Sequence, residues 1–295
     1  MARPGTVTER RALLSLCCLT VAATTAAFFW PSIETHVAEA AQAAGRGDKR
    51  LLSLAGLLFA AAPVTCGLAW HVAIVQVGGR LGRVDACARY GVGSLINSFA
   101  PAHLGDIVRT ALLLEALPAG GRRRIIGCFG AVQATRLAAL AALVMAASVP
   151  VELAPLAALL PLAVAFGLRR RAASRLLVFS LLGPAAKVGA VAAVLAGLGV
   201  PSPLMAALAV VPALELAALL PITPGNIGIA SGAAAFALHA GGLPLAEALG
   251  AAIVIHAVET AAGILYGTAS ALVFAAAAAH ASTGHSRSLA LPAQT

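Results

Sequence analysis

Apolar runs long enough to cross a lipid bilayer recur from one end of this 295-residue chain to the other. A helix needs about 20 consecutive apolar residues to span the hydrocarbon core. The runs leave no room for a soluble domain, so the sequence predicts an all-α polytopic membrane protein with a single integral membrane domain over residues 1–295. The eight runs are Ala12 to Trp30, Leu51 to Val77, Tyr90 to Leu117, Ile125 to Val149, Leu153 to Leu168, Leu176 to Val200, Leu204 to Ala240 and Leu245 to Ala279.

The charge of the chain also fits a membrane protein and argues against nucleic-acid binding. Charged residues make up 11% of the sequence, and the formal net charge is +9. The arginines fall between the apolar runs, where they set membrane topology, and Arg287 is the only Lys or Arg after Lys187. No basic surface of the kind that binds nucleic acid is therefore expected.

Two of the runs are too long for one straight crossing and are interrupted near the middle. The run from Tyr90 to Leu117 contains NSFAPAHLGDIVR, and the run from Leu204 to Ala240 contains PITPGNIGIASG. Proline removes a backbone donor and glycine loosens the backbone, so both interrupt a helix where no water replaces the lost hydrogen bonds. We expect each run to form a broken re-entrant hairpin whose ends return to the same side of the membrane.

The two interruptions occupy corresponding places in an internal repeat. When the chain is shifted along itself by 123 residues (224 − 101), Pro101 falls on Pro224 and Gly105 falls on Gly228. Each repeat then contains three full crossings, an odd number, so the second repeat is inverted relative to the first. Paired interruptions of this kind are typical of a binding site near the membrane midplane. The prediction is an inverted-repeat helical bundle of about six spanning helices plus the two hairpins, with repeats at about 12–149 and 153–275.

Loop charges orient this bundle in the membrane. Arginines cluster in the N-terminal segment, on both flanks of the first hairpin and after Leu168, whereas the loops at 149–152 and 200–203 contain no Lys or Arg. By the positive-inside rule, this predicts a cell-membrane protein with both termini cytoplasmic, and a disordered tail at about 280–295. The segment 31–50 is an exception, because its basic residues lie outside. The arginines on which the orientation rests are Arg3, Arg10, Arg11, Arg80, Arg83, Arg89, Arg122, Arg123, Arg124, Arg169, Arg170, Arg171 and Arg175.

Ionisable residues follow the first interruption at helical spacing. Asp106 and Arg109 are three residues apart and can form an ion pair on one helix face. Arginine grips phosphate through parallel hydrogen bonds, and an arginine at membrane depth is costly unless it is paired or hydrated. This favours a lipid headgroup site at Arg109. The structural alternative is that Asp106 caps the helix while Arg109 reaches headgroups or open carbonyls.

Further charges lie inside apolar runs, where ionisable groups are functional candidates. Arg136 and Glu259 coincide under the 123-residue shift. We expect them to approach the site from opposite sides, with Glu259 neutralising an arginine until a phosphate competes for it. A buried pair that only fixes helix packing is the alternative. Glu215 and Lys187 are also intramembrane charges, and one interpretation of Lys187 is that it extends toward the membrane surface.

Other chemistry is not indicated by the residues present. His256 and Glu259 lack a third ligand at metal-binding spacing, and Ser231 does not lie in a nucleophile elbow. The segment GVGSLINS lacks the lysine of a phosphate-binding loop. The sequence therefore predicts no metal, no cofactor and no catalytic residue.

The two interrupted segments together resemble a known family. YGVGSLINSFAPAHLGDIVRTALLLEALPAGG and PITPGNIGIASGAAAFALHAGGLPLAEAL are similar to motifs of the lysylphosphatidylglycerol synthase transmembrane-region family, which is described as flippase-like. The motifs run approximately N-x-x-x-P-x-x-x-G-[DE]-x-x-R and P-x-T-P-G-x-x-G, and the similarity covers nearly the whole chain. The matching residues are Asn97, Pro101, Gly105, Asp106 and Arg109, and then Pro221, Thr223, Pro224, Gly225 and Gly228.

The chain departs from the family pattern at two places. The family often has a Glu-Arg pair followed by an Asp, whereas here Thr135 precedes Arg136 and Ala139 follows. The second motif more usually has Gly-Gly where this chain has Gly225 and Asn226, which changes the polarity of the interruption. The soluble catalytic domain of some relatives has no room here, so the chain is not expected to be a synthase by itself.

The resemblance implies movement of a phospholipid or a lipid-linked headgroup between leaflets. A non-transporting accessory subunit and an intramembrane headgroup transferase are the alternatives. The expected partner is a membrane lipid with an anionic headgroup, and a homo-oligomer or a partner synthase is left open. The candidate substrate-binding residues are Asn97, Pro101, His103, Gly105, Asp106, Arg109, Arg136, Pro221, Thr223, Pro224, Gly225, Asn226, Gly228 and Glu259.

Overall fold

The described part of the chain is helical throughout. The computed structural model describes residues 47–100, 104–117, 170–218, 226 and 228–289, together with ten isolated positions between 20 and 141. These residues form seven helices and no strand. The helices are α1 (Lys49–Gln76), α2 (Arg83–Phe99), α3 (Leu104–Leu114), α4 (Arg170–Gly197), α5 (Pro203–Ala217), α6 (Ile229–Ala240) and α7 (Leu245–Leu289).

Three of these helices are long and apolar enough to cross a membrane. They are α1 with 28 residues, 24 residues of α4 from Ser174 to Gly197, and 33 residues of α7 from Leu245 to Ala277. At 1.5 Å per residue even the shortest extends about 36 Å, which exceeds the ~30 Å hydrocarbon core. They correspond to three of the apolar runs in the sequence. The protein is therefore a multi-pass membrane protein.

The two interrupted runs each form a pair of short helices, as the sequence predicted. Helices α2 and α3 have 17 and 11 residues, and α5 and α6 have 15 and 12. Even α2 extends only about 26 Å, so none of the four spans the ~30 Å hydrocarbon core unaided. New helices begin at Leu104 and Ile229, just after the predicted break positions. Neither interrupted segment is a continuous helix.

Close backbone approach holds the arms of the first hairpin together in antiparallel orientation. A Cβ atom added to Gly93 would lie 2.5 Å from the Gly105 carbonyl oxygen, and one added to Gly105 would collide with the Gly93 carbonyl oxygen and Asn97. At the other end of the hairpin, Arg80 N donates to Ala116 O at 3.1 Å. Glycine is therefore required at 93 and 105 because any larger side chain would separate the arms.

Helix α7 packs along the first hairpin in the opposite direction to α2. A Cβ atom added to Gly267 would lie 2.6 Å from Leu95 Cβ and 3.0 Å from Gly91 O. One turn away, the Ser270 side chain fills the space beside Gly91. Tyr266 Oη also donates to Cys87 O at 2.8 Å. These contacts fix the register of α7 against α2.

The second hairpin packs into the main apolar core. Helices α5 and α6 contact each other, α5 also contacts α4, and α6 also contacts α7. Val194, Val210 and Ile255 are fully buried in this core and come from α4, α5 and α7 respectively. Helix α1 packs along α4, and Asp48 N donates to Gly197 O at 2.9 Å where the two helices meet. The second hairpin is thus packed between long helices.

Several predictions of the sequence concern residues outside the described part. The predicted spans at 12–30, 125–149 and 153–168 lie there apart from isolated positions, so six crossings and an inverted repeat stay predictions. Helix α7 continues to Leu289, through much of the segment predicted as a disordered tail.

The packing of α7 on α2 predicts different effects for two glycines of the same helix. Gly267→Ala places a methyl group against Leu95 and the Gly91 carbonyl, so we expect overpacking to cost about 1–3 kcal/mol of stability. Gly250 has nothing within 4 Å of its Cβ position, so Gly250→Ala should be neutral or stabilise by up to ~1 kcal/mol. Thermal unfolding of the detergent-purified variants tests this, and equal midpoints would contradict the packing.

Candidate functional site

A polar cluster occupies the end of the first hairpin. Arg109 Nη2 lies 3.1 Å from Asp106 Oδ1, so the ion pair expected from their spacing is formed. Asn97 Nδ2 donates to the same Asp106 oxygen at 3.0 Å from the opposite arm. The Arg109 guanidinium lies over the Tyr90 ring, 3.8 Å from its centre. The hairpin therefore holds one arginine by a carboxylate and by an aromatic face.

Two buried polar atoms of this cluster lack hydrogen-bond partners among the described residues. They are the Arg109 Nε donor and the Asn97 Oδ1 acceptor. The Arg109 side chain is 11% exposed. A buried donor or acceptor without a partner costs about 1–3 kcal/mol, so such groups mark places where a polar ligand or water is favoured.

The second interruption has an unusual backbone. Asn226 has φ 58° and Gly228 has φ 86°. Helix α6 begins directly after Gly228, which has no side chain that could cap it. Asparagine adopts positive φ more readily than most residues, so the family's usual glycine is replaceable here. Asn226 Oδ1 is buried and has no hydrogen-bond partner in the described part of the chain. Asn226 thus adds a polar group at a position where the family motif more usually has glycine.

Three charged side chains from three helices meet between the hairpins. Lys187 Nζ of α4 lies 2.6 Å from Glu215 Oε1 of α5 and 3.1 Å from Glu259 Oε1 of α7. The interpretation that Lys187 extends toward the membrane surface is wrong, because its ammonium is held by both carboxylates. We call these three residues the lysine cluster. The sequence singled out each charge but gave no signal that they pair.

The lysine cluster lies level with both interruptions. Glu215 is in the last turn of α5, where the second interruption begins. Glu259 is one turn before Gly263, and a Cβ atom added to Gly263 would lie 3.6 Å from Ser98 Oγ in the last turn of α2. Helices α7 and α2 run antiparallel, so a residue one turn before Gly263 lies beyond the C-terminal end of α2. Glu259 is therefore level with the start of the first interruption. The ends of α2 and α5 and the lysine cluster therefore lie at one level of the bundle.

The match to a known family covers the segment that carries the second interruption. Residues 157–267 match the family model described as "Lysylphosphatidylglycerol synthase TM region". The match supports the family that the second motif resembles, but it covers residues 157–267 rather than nearly the whole chain. Comparison of the chain with curated proteins gave no match.

All three members of the lysine cluster lie within the segment matched to the lysylphosphatidylglycerol synthase TM region family, as do α4, α5 and α6. The first hairpin, with Asn97, Asp106 and Arg109, precedes that segment. Seven predicted site residues lie outside the described residues, and their arrangement stays a prediction. They are Pro101, His103, Arg136, Pro221, Thr223, Pro224 and Gly225.

Arg89 corrects the topology argument in one detail. The sequence counted it among the arginines that flank the first hairpin, but it lies within α2 and is only 5% exposed. Its Nε is 3.0 Å from Asp85 Oδ1, and its Nη1 is 3.4 Å from Glu115 Oε2 and donates to the Leu112 carbonyl. The arginine also lies 5.7 Å from the Phe274 ring centre. Arg89 therefore ties both arms of the first hairpin to α7.

Replacing Arg89 should destabilise the hairpin strongly. Arg89→Leu leaves the buried Leu112 carbonyl without this donor and Glu115 without this counter-charge, so we expect a loss of about 1–3 kcal/mol. Arg83 is exposed in the first turn of the same helix, and Arg83→Leu should stay within ~0.5 kcal/mol. Unfolding of both variants in detergent provides the measurement, and similar losses would show that Arg89 has no structural role.

Proposed function

We propose that this protein moves a phospholipid, or another lipid-linked anionic headgroup, between the two leaflets of the cell membrane. The observation that carries the proposal is Arg109, which lies at a helix break with a buried Nε donor that no described residue engages. Asp106 and the Tyr90 ring hold its guanidinium in place. Arginine offers two parallel donors to a phosphate, so a headgroup phosphate fits this arrangement.

The chemistry of the bundle suits a headgroup whose acyl chains remain in lipid. Polar groups at both interruptions supply partners for the headgroup, while the outer helix faces are apolar. Glu215, Glu259 and Lys187 add charges at the same level. Broken helices that line a cavity are typical of transporters, where they satisfy a polar substrate at the membrane midplane. The family match supports the same function by analogy.

The proposed movement involves no covalent step. Uphill transport would then draw on an ion gradient or on a partner protein. Reconstitution in liposomes that contain fluorescent phosphatidylglycerol separates the candidate functions. Leaflet exchange supports the transport function, a modified lipid would instead indicate a headgroup transferase, and neither result would indicate an accessory subunit.

Arg109 should be required for exchange even when the charge is kept. In Arg109→Lys the Nε donor and the bidentate fork are lost, so we expect exchange per folded protein to fall by about tenfold or more, the size of ~1.4 kcal/mol. Arg175 is exposed on α4, and Arg175→Lys provides the matched control with unchanged exchange. Full exchange in the Arg109→Lys and Arg109→Ala variants alike would refute a phosphate site at this residue.

The proposed orientation places both termini in the cytoplasm. In a variant without the five native cysteines, a cysteine at Ser202 should react with an impermeant reagent in intact cells, whereas one at Arg170 should react only after permeabilisation. Labelling of position 170 from outside would reverse the topology.

A further inference from the structure

We infer that Lys187 is a second ligand for the anionic headgroup in the proposed lipid site. Glu215 and Glu259 bind its ammonium group until a phosphate displaces them. The inference rests on the proposed function and extends it. It assigns a ligand and a release step to three residues of which only Glu259 was expected at the site. The three are joined by contacts of 2.6 and 3.1 Å.

The lysine cluster is accessible enough for exchange of partners. The side chains of Lys187 and Glu259 are each 29% exposed and that of Glu215 is 21% exposed. The Arg89 side chain, by contrast, is only 6% exposed, although its partners Asp85 and Glu115 are 39% and 32% exposed. A headgroup can therefore reach the Lys187 ammonium without unfolding the core, whereas the Arg89 guanidinium is covered.

Lysine suits an exchangeable contact better than arginine does. Its ammonium is a compact charge with three donors on a flexible four-carbon chain, so it can accept new oxygen partners with little change elsewhere. A carboxylate and a phosphate present the same kind of anionic acceptor oxygen. An intramembrane cation needs a counter-ion when no substrate is bound, and Glu215 and Glu259 supply it.

A short series of contacts connects Lys187 to the Arg109 cluster. Glu259 lies one turn from Gly263, which faces Ser98, and the neighbouring Asn97 donates to Asp106, the partner of Arg109. Both cations thus lie close to the level of the interruptions, and each is paired with a carboxylate of the chain. A phosphate-bearing ligand would therefore compete with internal carboxylates at each of the two cations.

Displacement of Glu215 would act on the second hairpin. Glu215 lies in the last turn of α5, and its contact with Lys187 links that end to the long helix α4. A phosphate that takes over Lys187 removes this link, so headgroup binding favours a state in which the end of α5 is released. Binding and hairpin movement are coupled through this difference in contacts.

The decisive experiment measures binding and exchange separately. Short-chain phosphatidylglycerol is titrated into the purified full-length protein by calorimetry, and exchange of fluorescent phosphatidylglycerol is measured in liposomes. Lys187→Met should weaken binding by about tenfold or more, and Lys187→Arg should restore most of it. Glu259→Gln removes a competing carboxylate but keeps the Lys187–Glu215 pair, so it should tighten binding several-fold and slow exchange. Glu247→Gln, at an exposed site on the same helix, should change neither.

A purely structural lysine cluster gives the opposite pattern. Lys187→Met and Glu259→Gln would then lower the unfolding temperature while binding per folded protein stayed unchanged, and that result overturns the inference. If Lys187→Met does not fold, Glu259→Gln decides alone, because tighter binding supports the inference and unchanged or weaker binding refutes it.

The same measurements distinguish this inference from the proposed function. Binding that changes as expected without any leaflet exchange would support the lysine cluster as an anion site and refute lipid movement. Normal exchange in all the variants would refute the inference alone. Free glycerol 3-phosphate serves as the second probe: binding as tight as that of the lipid supports the anion site but assigns it to a soluble phosphate, whereas preference for the lipid supports both.

Discussion

An ionised side chain inside an apolar bundle must have a counter-charge, and this requirement organises the part of the protein between its hairpins. Lys187 meets it through carboxylates from two other helices, at 2.6 and 3.1 Å. An isolated charge inside a membrane has a high free energy, and pairing with an opposite charge lowers it. The three helices that meet here each contribute one charge to such a pairing. Two of those helices are long candidate spans and the third, α5, ends at a break, so the pairing ties the end of the first arm of the second hairpin to both long helices.

Small residues let the helices come close enough for these polar groups to meet. Gly93 and Gly105 bring the arms of the first hairpin into backbone contact, which places Asn97 against Asp106. Gly267 lets α7 lie directly on α2. Without hydrophobic driving force between helices in lipid, such close packing supplies much of the attraction. The polar geometry of the site thus depends on the glycines that surround it.

The sequence predicted those features that depend on local pattern. Proline and glycine predicted the two interruptions, because they disrupt the backbone of their own helix, and the spacing of Asp106 and Arg109 predicted their ion pair. The partners of Lys187 lie 28 and 72 (259 − 187) residues away, so only the fold brings them together. Arg89 was counted with the flanking arginines for a related reason: a count of charges near an apolar run does not reveal that Asp85 and Glu115 pair with a buried arginine.

The register of α7 sets a strict requirement on chain length. Glu259, Gly263, Gly267 and Ser270 follow one another at intervals of four, four and three residues, so they share one side of the helix. Inserting or deleting a single residue between Glu259 and Gly263 would rotate the carboxylate by about 100° relative to the three packing residues. Such a change would turn Glu259 away from Lys187 without altering any amino-acid type. This stretch of α7 can therefore accept substitutions far more easily than a change in length.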